Sequence, residues 1–254
     1  VIERASGQVT LVDTSSRQAY ARIGGLGDLS HASAVYSRDG RYAFIFGRDG
    51  GLTKIDLLEA RIVKRVMQSG NAIGGSISQD GRIVVAQNYA PGGIKAFDAE
   101  TLELLAEVPA EYAPGKFSKV VGLADVPGNK FAYALFDAGE IWVSDFSEPK
   151  KPVTRRYPAG QQPYDGLVTP DGRHYLAGLF GEDGVVPFSE GIAAESAEVF
   201  RRLGSPRKRA ADVAIGVTAA VDDAVLVTRN ARDFAGIPDL RIEAAGPRSP
   251  GERG

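Results

Sequence analysis

Two short sequence features recur about every 44 residues, and this repeat constrains the fold more than anything else in the chain. The first feature is a turn before an apolar strand. Its glycines are Gly40, Gly81, Gly128 and Gly172, at spacings of 41, 47 and 44 residues. The second feature is an aspartate that ends a strand. These aspartates are Asp13, Asp56, Asp98 and Asp145, at spacings of 43, 42 and 47 residues. Two independent series with one period are hard to reconcile with a sandwich whose turns are spaced by accident.

The repeat predicts a β-propeller. An Asp-Gly pair supplies the positive φ that a tight hairpin turn needs, and a neighbouring Ser or Thr can bond the local backbone. The strands that follow the turns, such as Tyr42–Phe46, are short and apolar. A period near 44 residues with about four strands per unit is typical of a propeller blade. Residues 1–184 therefore predict about four blades, which is fewer than most rings of this kind contain.

Composition excludes several classes of site. The chain has no cysteine and only two histidines, His31 and His174. Disulfides, thiolate-ligated metals and any site with three histidine ligands are therefore excluded. A net charge of −2 gives no electrostatic reason to expect nucleic acid or a membrane surface as partner. The first residues read as a strand, so neither a secretory signal nor an apolar run of membrane-spanning length is expected.

The pattern changes to α/β after Gly184. Residues 191–203 have the periodicity of an amphipathic helix, residues 212–220 predict a second helix of small residues, and residues 224–228 predict a strand. We expect a boundary near Gly184, a small α/β unit over 185–242 and a disordered end over 243–254.

The α/β segment resembles the C-terminal part of toxin-like PIN-domain nucleases. The similarity lies in Val186-Pro-Phe188 before a helix, in Asp212 at the start of the next helix, and in Val227–Phe234. It implies that Asp212 and Asp233 help bind magnesium or manganese for RNA cleavage. The family's other two acids have no counterpart in this chain, so we predict that the segment is not an active nuclease. From the residues alone, Asp212 serves equally well as a helix N-cap and Asp233 as a turn residue.

Residues 1–184 resemble the cytochrome d1-type haem propellers, a family that includes nitrite reductase and proteins of haem d1 biosynthesis. Four stretches carry the similarity: Gly27–Asp56, Gln87–Gly93, Lys119–Leu123 and Gln162–Gly166. The resemblance implies the first half of an eight-bladed ring that binds haem d1 or a d1-type precursor. It also implies a role in haem d1 biosynthesis for denitrification, a periplasmic location, and other biosynthesis proteins or nitrite reductase as partners.

The resemblance also implies a set of haem-contacting residues. His31 falls at the position of an axial ligand to the iron, Arg48 at an arginine of the haem pocket, and Tyr89 beside the macrocycle. Tyr164 and Asp165 stand where the reductase has a distal histidine that serves substrate protonation. This replacement argues against nitrite reduction and favours a biosynthetic or carrier role.

The same residues also have structural interpretations. His31 lies in a rim loop, where its ring could instead bond to loop backbone, and His174 is interpreted as structural. Arg48 and Lys119 are suited to ligand carboxylates, although either could be a solvated loop charge. Tyr89 and Tyr164 could stack on a macrocycle or simply pack at the rim.

Two alternatives to the tetrapyrrole-binding function stay open, and so does the reaction. The chain could act as a metal-dependent ribonuclease fragment, or it could be an accidental fusion of two gene pieces without a function of its own. No redox motif, base or nucleophile identifies a chemical step. Four blades with eight-blade curvature cannot close into a ring, so we expect exposed apolar blade faces and self-association.

Overall fold

The computed structural model describes residues 1–181, 184–188, 190–204, 209–221, 223–228 and 230–244. Nearly half of these residues lie in strands, and most of those strands form antiparallel sheets, as the repeat predicts. The expected disordered end lies outside the described residues from position 245 onward, whereas positions 243 and 244 belong to a strand. No helix within the described ranges combines the length and the apolar character that a membrane span requires.

Five consecutive sheets form the propeller part of the described chain. The first contains β1 (Ile2–Glu3), β2 (Gln8–Asp13) and β3 (Gln18–Ile23). The second contains β4 (Ser33–Tyr36), β5 (Tyr42–Phe46), β6 (Gly51–Asp56) and β7 (Arg61–Met67). The third contains β8 (Ala72–Ile77), β9 (Ile83–Asn88), β10 (Gly93–Asp98) and β11 (Leu104–Val108). After a hairpin of β12 (Glu111–Ala113) and β13 (Lys116–Phe117), the fourth contains β14 (Val120–Val126), β15 (Lys130–Leu135), β16 (Glu140–Asp145) and β17 (Val153–Pro158). The fifth contains β18 (Pro163–Val168), β19 (Tyr175–Leu179) and β20 (Gly184–Phe188).

The segment after the fifth sheet is α/β. It contains helix α1 (Glu190–Arg202), helix α2 (Ala210–Val221), strand β21 (Val225–Thr228), a 3-10 helix (Ala231–Phe234) and strand β22 (Arg241–Ala244). Strands β21 and β22 pair in parallel, and α1 packs against α2. The 3-10 helix and β22 were not foreseen from the sequence.

The two repeating sequence features occupy equivalent places in successive sheets. Each glycine turn connects the first and second strands, and in the second sheet Gly40 N–H donates to Ser37 O while the Ser37 hydroxyl donates to Asp39. Asp56, Asp98 and Asp145 end the third strands of their sheets, and Asp13 ends β2 of the first sheet. Each accepts a backbone N–H from two residues further along, as Asp56 does from Leu58 at 3.0 Å. These side-chain bonds replace ladder hydrogen bonds where a strand ends, which explains why the same residue types return with each sheet.

Apolar side chains fill the space between each pair of neighbouring sheets. Phe44, Phe46 and Phe97 pack between the second and third sheets, and Phe131 and Trp142 pack between the third and fourth. The fourth and fifth sheets enclose a cluster that includes Tyr175 and Ala177. The protein thus has one core per interface between sheets, as a propeller does, and each sheet is held by its neighbours.

The two ends of the arc differ from the expectation of two open apolar faces. On the first sheet, Glu3 accepts hydrogen bonds from Gln8 and Thr10 and lies 3.7 Å from Arg22, so a polar network occupies the side away from the core. The fifth sheet keeps an apolar site on its outer face, since Leu167 is 58 % exposed. The fifth sheet therefore shows the exposed apolar character that the open-ring expectation predicts, whereas the first sheet carries polar groups beside its exposed Val12.

The fifth sheet continues past the predicted boundary at Gly184. Strand β20 pairs with β19 from Gly184 opposite Leu179 to Phe188 opposite Tyr175. The stretch Val186-Pro-Phe188, which carried part of the nuclease resemblance, is therefore hydrogen-bonded into the propeller sheet. Helix α2, and not the helix predicted at 191–203, is the one that lies against β20. The division into functional units at this point stays a prediction.

Candidate functional site

Two kinds of loop lie along one edge of the sheets, which we call the upper rim. The first kind connects successive sheets, and the second connects the second and third strands within a sheet. One backbone hydrogen bond joins the two kinds in each of four sheets. These bonds are Arg48 N–H to Asp28 O (2.7 Å), Tyr89 to Asn71 (3.0 Å), Phe136 to Lys119 (3.1 Å) and Phe180 to Gln162 (3.0 Å).

Arg48, Tyr89, Phe136 and Phe180 are therefore equivalent positions of the repeat. Each stands eight residues after the glycine of the turn in its own sheet. Because they begin the same loop in four neighbouring sheets, their side chains are brought to one rim of the arc. The same spacing that identified the blades thus also marks one site residue in each of these sheets.

The predicted residues Arg48, Tyr89 and Tyr164 contact one another in a row. The Arg48 guanidinium lies over the Tyr89 ring, 5.1 Å from its centroid. The hydroxyl groups of Tyr89 and Tyr164 share a short hydrogen bond across the gap between the third and fifth sheets. Three residues that are far apart in sequence are therefore joined at the upper rim.

Aromatic residues that the sequence analysis did not single out extend this row. Phe180 stacks on Tyr164, with ring centroids 4.5 Å apart and planes within 8°. Phe136 meets Tyr164 edge-on at 5.8 Å, and the Lys119 ammonium lies 4.4 Å from the Phe136 centroid. Lys119 also forms an exposed ion pair with Asp137 at 3.4 Å. Phe136 and Phe180 could have been found from their eight-residue spacing to Gly128 and Gly172.

Arg48 has spare hydrogen-bonding capacity at this site. Its Nη1 atom is buried and has no hydrogen-bond partner among the described residues. An unpaired buried guanidinium nitrogen costs free energy, and a carboxylate is the partner that suits it best. A flat ligand that carries carboxylates would satisfy Arg48 and lie along the aromatic row. The residues present therefore fit a tetrapyrrole with acidic side chains.

His31 and Asp165 lie at the edges of the same rim. His31 is exposed in the loop before β4, and it makes no hydrogen bond or ion pair with any described residue. Asp28 ties this loop to Arg48 through the backbone bond above. Asp165 is exposed on β18 beside Tyr164, and its negative charge contributes to raising the pKa of Tyr89. The imidazole is therefore accessible to a ligand, whereas the loop-backbone bonding of the alternative interpretation is not found.

The Tyr89 hydroxyl resists ionisation. Burial raises its pKa to about 12, and the hydrogen bond with Tyr164 acts in the same direction. The positive charge of Arg48 opposes this shift but does not reverse it. Near neutral pH the site therefore presents a protonated phenol, which can donate to a ligand if the bond with Tyr164 rearranges.

We expect Tyr89 to titrate well after an exposed tyrosine. A raised pKa in the folded state means that its stability contribution is intact below the ordinary tyrosine value near 10 and is lost as pH rises toward 12. Phenolate absorbance is measured against pH for the wild type and for Tyr89→Phe. The two curves should coincide up to about pH 10 and should separate by one phenolate only near pH 12. A separation already complete at pH 10 would show that the site does not shield this hydroxyl.

The nuclease-like acids do not form a recognisable metal site. Asp212 is in α2, while Asp233 is in the 3-10 helix, where its side chain contacts Asn230 and its backbone oxygen accepts from Arg209 at 2.6 Å. The described residues contain no group of three or more His, Cys, Asp or Glu side chains that could hold a metal ion. The nuclease resemblance of this segment gains no support from these contacts and stays a prediction.

Comparison with protein families and characterised sequences identifies relatives of the propeller part. The family model "Cytochrome D1 heme domain" matches residues 1–200. Protein NirF of Pseudomonas aeruginosa is 60 % identical over 188 residues, which are 73 % of this chain and 48 % of that protein. Protein NirF of Stutzerimonas stutzeri is 58 % identical over 188 residues, with the same coverage of both chains. The chain thus spans about half the length of these relatives.

Two solved structures also superpose on this chain. The dihydro-heme d1 dehydrogenase NirN in complex with DHE superposes with a TM-score of 0.69 at 28 % identity, covering 76 % of this chain and 41 % of that one. The hydrazine synthase of Kuenenia stuttgartiensis superposes with a TM-score of 0.59 at 16 % identity, covering 79 % and 62 %. At that identity the second match shows the fold alone.

Proposed function

The chain belongs to the cytochrome D1 heme domain family, and from this premise we propose that it binds a d1-type tetrapyrrole at the upper rim. The observation that carries the proposal is the contact among Arg48, Tyr89 and Tyr164, three residues that the family resemblance assigns separately to the haem pocket. Identity of 58–60 % to two NirF proteins favours a role in haem d1 biosynthesis, and hence in denitrification.

The side chains of the upper rim would contact different parts of the ligand. Arg48 would hold a carboxylate of the ligand through its unpaired Nη1, and Lys119 would hold another at the far end of the row. Tyr89 and Tyr164 would contact the macrocycle, while His31 would supply a neutral imidazole to the iron. When bound, the tetrapyrrole supplies a redox-active iron centre, which no side chain of this protein offers.

A biosynthetic or carrier role suits the rim better than nitrite reduction does. The reductase position of the distal histidine is taken by Tyr164 and Asp165, and the Tyr164 hydroxyl is engaged with Tyr89. A phenol in that bond is a poor substitute for an imidazole that protonates a substrate near neutral pH. In a biosynthetic or carrier role, the tetrapyrrole is the molecule that the protein holds or passes on.

Partners and location follow from the same proposal. A carrier of haem d1 or its precursor would meet other proteins of haem d1 biosynthesis, or nitrite reductase as the recipient. The family resemblance favours the periplasm as the place where this happens. A net charge of −2 gives no reason to add nucleic acid to the partners.

The proposal is tested through His31. The wild type and His31→Ala are each titrated with ferric haem while the Soret band is followed. We expect the wild type to give a saturable, shifted band, and His31→Ala to give a different band position with weaker binding, because an imidazole ligand is lost. Identical spectra and affinities for both proteins would remove His31 from the iron.

His174 offers a matched control, since it is the other histidine and directly precedes β19, at the other end of that strand from the rim residue Phe180. His174→Ala should leave the spectrum and the affinity unchanged. If neither the wild type nor His174→Ala binds haem at all, the proposed function itself is wrong.

A further inference from the structure

The most exposed aromatic side chain of the upper rim is also one of its most constrained. Phe180 is 70 % exposed, yet one face of its ring is covered by Tyr164 at 4.5 Å. Phe136 approaches it edge-on at 6.5 Å and 86°, so the ring has a neighbour beside it as well as beneath it. The other face of the Phe180 ring is open to solvent and accounts for this exposure.

The fold itself positions this ring. Phe180 follows β19 directly, and its N–H donates to Gln162 O. Equivalent backbone bonds position Arg48, Tyr89 and Phe136 in their own sheets. Its exposure is therefore not that of a side chain on an unconstrained loop. Holding a phenyl ring with one face in water buries little apolar area, so packing alone does not explain the arrangement.

We propose that Phe180, supported by Tyr164 and Phe136, is the stacking platform on which the plane of the tetrapyrrole lies. This inference rests on the proposed function and adds how the ligand is recognised. A conjugated macrocycle on the free face of Phe180 continues the stack that Tyr164 and Phe180 begin. Arg48 and Lys119 flank the aromatic row with positive charge, where the carboxylates of such a ligand need partners.

The platform predicts that recognition depends on the ring plane as well as on the iron. Stacking and carboxylate pairing need no metal, so a metal-free porphyrin should also bind this rim. The loss of Phe180 should weaken the binding of both kinds of ligand by a similar factor. This distinguishes Phe180 from His31, whose loss should affect only the iron-containing ligand.

The experiment uses the full chain with two probes, ferric haem and metal-free protoporphyrin IX, in absorbance titrations. Phe180→Ala should weaken both by about tenfold, which corresponds to about 1.4 kcal/mol, because the stacking contact with the macrocycle is lost. Phe180→Trp keeps an aromatic ring and should restore affinity to within about threefold of the wild type. Tyr36→Ala is the matched control, because Tyr36 is another exposed aromatic residue, at the end of β4 remote from this rim.

Three results of these titrations would overturn the stacking platform. Unchanged affinity of Phe180→Ala for both probes overturns the platform while leaving the proposed function intact. An equal loss in Phe180→Ala and Phe180→Trp also overturns it, because stacking would then not be the cause. If the wild type binds neither probe, the proposed function fails and the platform fails with it.

A second copy of the chain is the competing occupant of this aromatic surface. Light scattering on the same variants distinguishes a second copy of the chain from the tetrapyrrole as the occupant of this surface. If Phe180→Ala converts an oligomer to a monomer and leaves the affinity for both probes unchanged, the ring belongs to a protein contact and the platform is wrong. If the affinity falls while the oligomeric state stays the same, the platform is supported.

Discussion

Replacing Arg48 with glutamate is expected to weaken haem binding by about a hundredfold. The substitution removes charge-assisted hydrogen bonds worth about 1.5–3 kcal/mol and places a negative charge where a ligand carboxylate would lie. A loss of about 2.7 kcal/mol corresponds to a hundredfold change in the dissociation constant. The measurement is a haem titration followed by absorbance, with circular dichroism to show that the sheets are intact.

Two further variants make this result specific. Arg61→Glu makes the same charge change at an exposed position at the start of β7, remote from the upper rim, and should leave binding within about twofold of the wild type. Arg48→Lys keeps the charge but loses the planar fork, so an intermediate affinity is expected. If Arg61→Glu weakens binding as much as Arg48→Glu does, the effect is one of overall charge and Arg48 is not a ligand contact.

The second large effect is expected on the oligomeric state. Leu167 on β18 and Leu176 on β19 are opposite each other, and they face away from the core cluster that contains Val168 and Tyr175. Leu167 is 58 % exposed. In a closed ring the next blade would cover such a pair, so the purified chain should self-associate through this face of the fifth sheet.

A charge at this face should prevent the association. Leu167→Asp forfeits roughly 1.5–3 kcal/mol of apolar burial in the contact, which raises the dissociation constant of the oligomer at least about tenfold. Light scattering at a fixed protein concentration measures the change. Leu58→Asp, at a 78 % exposed position in the turn between β6 and β7, is the matched control and should leave the oligomer unchanged. A wild type that stays monomeric at high concentration contradicts the open-face argument.

The regular part of the fold could be predicted because its cause is local. An Asp-Gly turn and a strand-ending aspartate each satisfy their own backbone, so the same residues return wherever the same turn returns. The bond from Asp56 to Leu58 N–H is one instance, and it needs no knowledge of the rest of the molecule. The sheet class and the repeat period were therefore readable from Gly40 and its equivalents, whereas the structure has five consecutive sheets where about four blades were predicted.

The polar face of the first sheet and the last strand of the fifth were not readable in this way. Glu3 bonds Gln8 and Thr10 only because β1 and β2 pair in one register, and register depends on which face is buried. Strand β20 is recognised by its pairing with β19, whereas its sequence suggested a lead-in to a helix. Tertiary pairing decides both features.

The candidate site could be predicted in part. Arg48, Tyr89 and Tyr164 were found through the family resemblance, and their contact is a product of the fold. Phe136 and Phe180 were missed because an isolated phenylalanine carries no chemical signal. Only their eight-residue spacing to Gly128 and Gly172 would have indicated them, and the ring contacts on which their proposed role rests form between two sheets.

An absorbance titration of the purified chain with haem d1 measures directly whether the upper rim binds a d1-type tetrapyrrole. We expect saturable binding at one ligand per chain, with a band that differs from that of free haem d1. For Arg48→Glu, we expect the binding curve to shift to higher ligand concentration. A spectrum that stays that of the free ligand at all ratios, or a curve that is the same for the wild type and Arg48→Glu, would contradict tetrapyrrole binding at this rim.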